Sequence, residues 1–246
     1  MKAGLIKTSL VNFPGRVAAA VFLPGCNLRC PYCHNAELAE ASVVSGPKNP
    51  ESAENDYVSI EEIYAHLERR ASVLGGLAIT GGEPLLSPAL ADLIRKARSL
   101  NLAVKIDTNG TLPDRLSAII GNRETCPDMI AIDVKTSPAR YGELTLEPNA
   151  GAMVREAIER SIDILSRAPS TVRVEYRTVL VPGLVREEEL KAIAAIIPHG
   201  ADWKLASFVP GACLDPSLNA LDPYGPAETA RLVAISKNLI PGAQLR

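Results

Sequence analysis

Two hydrophobic patterns alternate along the chain. Short apolar runs at Val17–Leu23, Leu77–Thr80, Leu102–Thr108, Met129–Lys135, Val172–Leu180 and Trp203–Phe208 read as strands. Longer stretches read as helices: Ser59–Val73, Pro88–Leu100, Pro113–Gly121, Gly151–Arg167, Arg186–Ile197 and Pro226–Lys237. Most of them open on Ser or Pro, which suit a cap or a first turn. Strands alternating with helices imply βαβ units and a parallel sheet. Six such units in succession predict an α/β fold, a partial (βα)6 TIM-like barrel, with a doubly wound open sheet as the alternative. The segment Ala41–Tyr57, rich in Pro, Asn, Ser and Glu, reads as a surface loop.

Polar residues interrupt the strands in a regular way. The third ends Lys105-Ile-Asp107-Thr108-Asn109-Gly110, the fourth Ile132-Asp133-Val134-Lys135, the fifth carries Arg173, Glu175 and Arg177, and the sixth Lys204. Strands of a buried parallel sheet are normally near-continuous apolar runs. Charges at i and i+2 share one face, so these line the barrel interior. Buried charge is costly unless paired or used on a ligand. Lys105, Arg173 and Glu175 can simply pair across the barrel. Asp107, Asp133, Lys135 and Arg177 lie nearer the strand C-termini, where active sites of such barrels assemble, and are read as ligand contacts.

Composition narrows the function classes. The 246 residues are 47% hydrophobic and 22% charged, with a formal net charge of −2. That is an ordinary globular make-up, which argues against disorder. It offers none of the basic excess expected of a nucleic-acid binder. No apolar run reaches the ~18 residues that span a membrane, and the N-terminus lacks a secretion-signal layout. A cytoplasmic protein, with neither nucleic acid nor membrane as partner, is the expectation.

The five cysteines are Cys26, Cys30, Cys33, Cys126 and Cys213. An odd number, with three crowded together, is not a disulfide framework. Cys26-Asn-Leu-Arg-Cys30-Pro-Tyr-Cys33-His34-Asn35 follows the first strand across Pro24-Gly25, in a βα loop. Three such thiolates can hold three irons of a 4Fe–4S cluster and leave the fourth open, whereas ferredoxin-type clusters fill all four positions with cysteine. The other reading is structural zinc with His34 or a distant residue as fourth ligand. The adjacency of Cys33 and His34 makes that tetrahedral set awkward. Thr80-Gly81-Gly82-Glu83-Pro84 follows the second strand. Adjacent glycines suit either a strand-to-helix turn or close approach of a ligand to the main chain.

The Cys-x3-Cys-x2-Cys spacing, with Tyr32 before the last cysteine, resembles the signature of the radical S-adenosylmethionine (radical SAM) superfamily. Gly4-Leu-Ile-Lys-Thr-Ser-Leu-Val-Asn-Phe-Pro-Gly-Arg16 and the cluster loop resemble glycyl-radical-enzyme activases. Tyr176–Gly183 and Phe208–Pro216 resemble the anaerobic ribonucleoside-triphosphate reductase activating proteins, relatives of pyruvate formate-lyase activase. The resemblance implies a single radical SAM domain over 1–246, with an N-terminal extension 1–16, a core of about 17–216 and a C-terminal helix in about 217–246. It implies an iron–sulfur enzyme that reductively cleaves S-adenosylmethionine and abstracts hydrogen from a glycine of a partner glycyl radical enzyme, with flavodoxin or ferredoxin as reductant. Cys26, Cys30 and Cys33 would bind the cluster. Tyr32, His34, Gly81, Gly82, Glu83, Asp107, Asn109, Asp133, Lys135 and Arg177 would bind cofactor. Asp107, Thr108 and Asp133 match a monovalent-cation site of the pyruvate formate-lyase branch. That branch has a histidine after the sixth strand, where Phe208-Val-Pro-Gly stands here, and His199 precedes that strand. Cys126 and Cys213 read as packing residues. A small-molecule radical enzyme such as a 7-carboxy-7-deazaguanine synthase is the alternative within the superfamily.

Overall fold

The computed structural model describes residues 1–41, 57–145 and 149–246. Most of the expected surface loop Ala41–Tyr57 therefore lies outside the described residues.

Each anticipated strand forms. They are β2 (Ala18–Leu23), β4 (Gly76–Gly81), β5 (Ala103–Thr108), β6 (Met129–Asp133), β7 (Arg173–Leu180) and β8 (Asp202–Ser207). They pair in parallel in that order. Three further strands were not legible in the hydrophobic pattern: β1 (Lys2–Ser9), β3 (Tyr57–Ser59) and β9 (Gln244–Leu245). β1 runs antiparallel to both β2 and β3, and β9 is parallel to β8. The order is β3-β1-β2-β4-β5-β6-β7-β8-β9, with no pairing between β3 and β9, so the barrel stays open along one side. The expected N-terminal extension thus contributes β1 to the same sheet, and the C-terminal segment contributes β9.

The helices are α1 (Ala36–Glu40), α2 (Ile60–Arg70), α3 (Leu90–Ser99), α4 (Pro113–Gly121), α5 (Gly151–Ser166), α6 (Glu187–Ala194) and α7 (Pro226–Leu239). α1 was not anticipated; the other six match their expected stretches closely. α2 starts at a capping box, in which the Glu62 amide donates to the Ser59 hydroxyl (3.2 Å) and the Ser59 amide to the Glu62 carboxylate (2.8 Å).

The register explains the polar strand positions. Cross-strand partners put Ala20, Ala78, Lys105 and Met129 on one face, followed around the sheet by Glu175 and Asp202. This is the interior of the partial barrel. The other face carries Val21, Ile79, Ile106, Ile130, Tyr176 and Leu205, all buried in the main hydrophobic core. Phe13, from the loop joining β1 and β2, packs with Ala18, Met129 and Ala103 at the strand N-termini and plugs the floor. The interior is small and apolar on the β2–β4 side and charged on the β5–β8 side, and the cavity opens above the charges.

Candidate active site

The site begins at the end of β2. Gly25 takes a positive φ of 88° and turns the chain into the cysteine loop. That loop is anchored on several sides. The Gly25 amide donates to the Leu38 carbonyl of α1 (2.7 Å), and the Arg29 amide to the Leu144 carbonyl (2.7 Å). The Leu214 and Asp215 amides, beyond β8, donate to the Cys33 and Pro31 carbonyls (3.0 and 2.8 Å). The Arg29 guanidinium binds the Cys26 and Leu28 carbonyls, both at 2.8 Å.

The Gly-Gly pair at the end of β4 makes its close approach to the protein's own backbone. Gly81 has φ +120°, and a Cβ there would lie 2.3 Å from the Leu23 carbonyl oxygen. A Cβ on Gly82 would lie 2.1 Å from that of Gly25. The Gly82 and Glu83 amides donate to the Leu23 and Gly25 carbonyls (2.9 and 2.8 Å). The glycines therefore weld the β4 end to the root of the cysteine loop, and Gly81 and Gly82 still line the cavity.

Glu83 departs from expectation. It is fully buried and takes no place in the cavity wall. Its carboxylate accepts from the Thr108 hydroxyl (2.8 Å), the Asn109 amide (2.7 Å) and the Leu85 amide (3.0 Å). Both oxygens are thus used to tie the β4 loop to the β5 loop, and Glu83 acts as a strut between them. Burial pushes its carboxyl up to about 7, against the pull of those three donors.

The remaining expected residues converge. Cys26, Cys30, Tyr32, Cys33, His34, Asp107, Thr108, Asn109, Asp133, Lys135 and Arg177 line one cavity of about 500 Å3 with the two glycines. Lys204 and Phe208 join them, as do Asn12, within the Gly4–Arg16 stretch, and Arg246, which no motif marks. Arg246 reaches across the open side to the Val11 carbonyl (3.1 Å). Where the relatives' histidine was expected, the Val209 carbonyl instead accepts from His34 Nε2 (2.7 Å). His199 is exposed and away from the cavity. Cys213 is buried and Cys126 half-buried, neither in the wall.

The charges form a chain across three strands. Asp107 pairs with Lys105 and, at 3.3 Å, with Arg177. Asp133 pairs with Arg177 (2.8 Å) and Lys135 (3.2 Å). Burial alone would raise the Asp133 carboxyl, yet Arg177 and Lys135 hold it down to about 2. Lys135 and Arg177 are held above their ordinary values by the carboxylates, against burial. Two carboxylates already balanced by three cationic side chains do not fit the expected monovalent cation. The same cationic surplus suits the carboxylate of an amino-acid ligand.

Cys26, Cys30 and Cys33 are free thiols. Burial raises Cys26, and pushes Cys30 up to about 12. Loading metal on them therefore releases protons. Among the described residues no three His, Cys, Asp or Glu side chains converge on a single ion position. Zinc needs that convergence, and His34 is committed to the Val209 carbonyl. A cluster instead takes each thiolate on a separate iron, so three sulfurs around one cavity wall fit it.

Comparison with known families matches residues 20–196 to the radical SAM superfamily. A glycyl-radical enzyme activating enzyme homologue of Methanocaldococcus jannaschii is 29% identical over 99% of this chain and 95% of its own. The pyruvate formate-lyase-activating enzyme of Clostridium pasteurianum is 27% identical over 82% of this chain and 77% of its own. The 7-carboxy-7-deazaguanine synthase of Methanopyrus kandleri is 34% identical, over 50% of this chain and 51% of its own. Among solved structures, TYW1 with a lysine-pyruvate adduct bound superimposes with a TM-score of 0.59 at 19% identity, over 90% of this chain and 73% of that one. That likeness concerns the fold alone.

Proposed function

Because the chain belongs to the radical SAM superfamily, we propose that it is a glycyl-radical-enzyme activase whose partner is anaerobic ribonucleoside-triphosphate reductase. Membership makes it an enzyme with a 4Fe–4S cluster and S-adenosylmethionine as cofactors. The observation that carries the activase reading is the end-to-end match with the Methanocaldococcus protein, set against a match to the deazaguanine synthase over half of each chain. The open side of the barrel supports it, because a polypeptide loop has a way in.

Cys26, Cys30 and Cys33 would each hold an iron, leaving the fourth for the amino and carboxylate groups of S-adenosylmethionine. Once bound, these cofactors supply a 5′-deoxyadenosyl radical that removes a hydrogen atom from a glycine Cα. The chain's own residues orient and shelter. The backbone at Gly81 would face the methionine amine. Lys135 and Arg177 would meet the carboxylate and the ribose hydroxyls, with Asp107 and Asp133 holding their side chains. Tyr32 and His34 would flank the ligand, and Phe208 closes the wall. One electron comes from a flavodoxin or ferredoxin. Residues 1–246 act as one unit in the cytoplasm. Among the described residues no helix is long and apolar enough to cross a membrane.

The test is anaerobic. The protein is reconstituted with iron and sulfide, given dithionite and S-adenosylmethionine, and 5′-deoxyadenosine is quantified. Wild type is expected to form it and Cys30→Ala to form none; product from Cys30→Ala sinks the cluster assignment. Adding the reductase should yield a glycyl-radical signal by electron paramagnetic resonance. No signal, with 5′-deoxyadenosine still made, moves the partner elsewhere.

A further inference from the structure

Cys26 differs from the other two cluster cysteines in what surrounds its sulfur. The Leu28 amide donates to Cys26 Sγ at 3.4 Å, and Asn109 Nδ2 lies 3.7 Å from it. Among the described residues no hydrogen bond reaches the sulfur of Cys30 or Cys33. The orientation of the Asn109 amide is settled by its neighbours. The Thr111 backbone N–H can only donate, and it points at one end of that amide at 3.0 Å, which must be Oδ1. The other end, facing sulfur, is then the NH2.

A closed ring of hydrogen bonds locks this arrangement. The Thr111 hydroxyl donates to Asn109 Oδ1 (2.6 Å), Asn27 Nδ2 donates to the Thr111 hydroxyl (2.7 Å), and Asn109 Nδ2 donates to Asn27 Oδ1 (3.0 Å). The three bonds of the ring run in one direction, Asn109 Oδ1 also accepts from the Thr111 backbone N–H, and one N–H of Asn109 is left over, aimed at Cys26. Asn109 is 4% exposed, so water does not compete for that proton. Its backbone amide is pinned to Glu83 (2.7 Å), so the side chain has little room to turn away.

We propose that Asn109 is a positioning and tuning residue: its amide donates to the Cys26 sulfur and raises the reduction potential of the bound cluster. The inference rests on the reading of Cys26 as a cluster ligand. A hydrogen bond to a ligating sulfur draws electron density from it, and the reduced cluster, carrying one more electron, gains more from this than the oxidised one. The ring with Asn27 and Thr111 is the outer support that keeps the donor aimed.

The test reads potential, not turnover. Reconstituted protein, without S-adenosylmethionine or partner, is titrated anaerobically with dithionite, and the reduced cluster is followed by electron paramagnetic resonance. Asn109→Leu keeps the bulk and the backbone amide and removes the donor. It is expected to lower the equilibrium constant for reduction about tenfold, ~59 mV for a one-electron couple, at unchanged iron and sulfide content. Thr111→Val keeps Asn109 but breaks the ring, and a smaller shift in the same direction is expected. If Asn109→Leu takes up no cluster, Thr111→Val decides alone: a lowered potential supports the proposal and an unchanged one overturns it. An unchanged potential in a fully loaded Asn109→Leu protein also overturns it, while leaving the cluster reading intact. A wild-type protein that binds no cluster overturns both.

Discussion

At the scale of single residues, the site depends on a few side chains that hold its loops together. Glu83 is the clearest. Glu83→Gln puts an NH2 group against donors on at least one side, so a buried N–H loses its acceptor at a cost of about 1–3 kcal/mol. For a chain of this size that is roughly 2–4 °C of melting temperature per kcal/mol. The penalty depends on pH. The folded carboxyl sits at about 7, above its ordinary value of 4.5, so the fold binds the proton more tightly than the unfolded chain does. Its stabilising contribution is full below 4.5 and is lost as pH rises through about 7. Thermal melts should therefore show the gap between wild type and Glu83→Gln widest near pH 4 and narrower at pH 8. Gly82→Ala acts differently. Its Cβ would meet the Gly25 carbonyl oxygen at 2.1 Å, so the cysteine loop must move. Iron and sulfide analysis should find the cluster content of this variant well below that of wild type.

At the scale of elements, β5, β6 and β7 are cross-linked inside the barrel by Arg177, which reaches Asp107 on one strand and Asp133 on another. Arg177→Met leaves two largely buried carboxylates one partner short, and breaking such a network costs about 3 kcal/mol or more. Acid sensitivity should change as well. Asp133 at about 2, below its ordinary 3.8, contributes stability that is present above 3.8 and lost as pH falls through about 2. Without Arg177 its carboxyl rises, so the variant holds less of that stability to lose on acidification. Urea denaturation should find Arg177→Met less stable than wild type at pH 7 and at pH 4, with the gap wider at pH 7.

At the scale of the molecule, one sheet serves two environments. Its outer face is a continuous apolar core against the helices, and its inner face is a cavity with an apolar floor. Phe13 is that floor, 4% exposed, with its ring edge against Gly76, where an added Cβ would lie 2.8 Å away. Phe13→Ala should cost about 3–5 kcal/mol. The sole tryptophan offers a local control. Trp203 is fully buried on the outer face, with Nε1 donating to the Thr178 hydroxyl (3.0 Å). The folded Phe13→Ala protein should keep the emission maximum of wild type while its urea midpoint falls. A shifted maximum before unfolding would mean that floor and outer core are not separate packing units.

Local order was legible in the sequence because it is written in local terms. The period of apolar residues marked six strands and six helices, and the spacing of Cys26, Cys30 and Cys33 marked a loop that lines the cavity. Charges two apart on β5–β8 marked an inner face, since alternate strand residues must share a side. What lay beyond it depends on partners distant in the chain. β1, β3 and β9 are short or weakly patterned, and they become strands only because a neighbouring edge offers them hydrogen bonds. Asn12 and Arg246 enter the cavity wall because the open side of the barrel brings the two ends of the sequence together. Glu83 sits in a motif whose wording points to a ligand. Only the packing of the β4 loop against the β5 loop buries it and commits its oxygens to Thr108, Asn109 and Leu85. The hydrogen-bond ring of Asn27, Asn109 and Thr111 likewise joins residues more than 80 positions apart. Side-chain type determines what a residue can donate or accept; which partner it meets is decided by the fold, because a buried polar group must take whatever complement the packing places beside it.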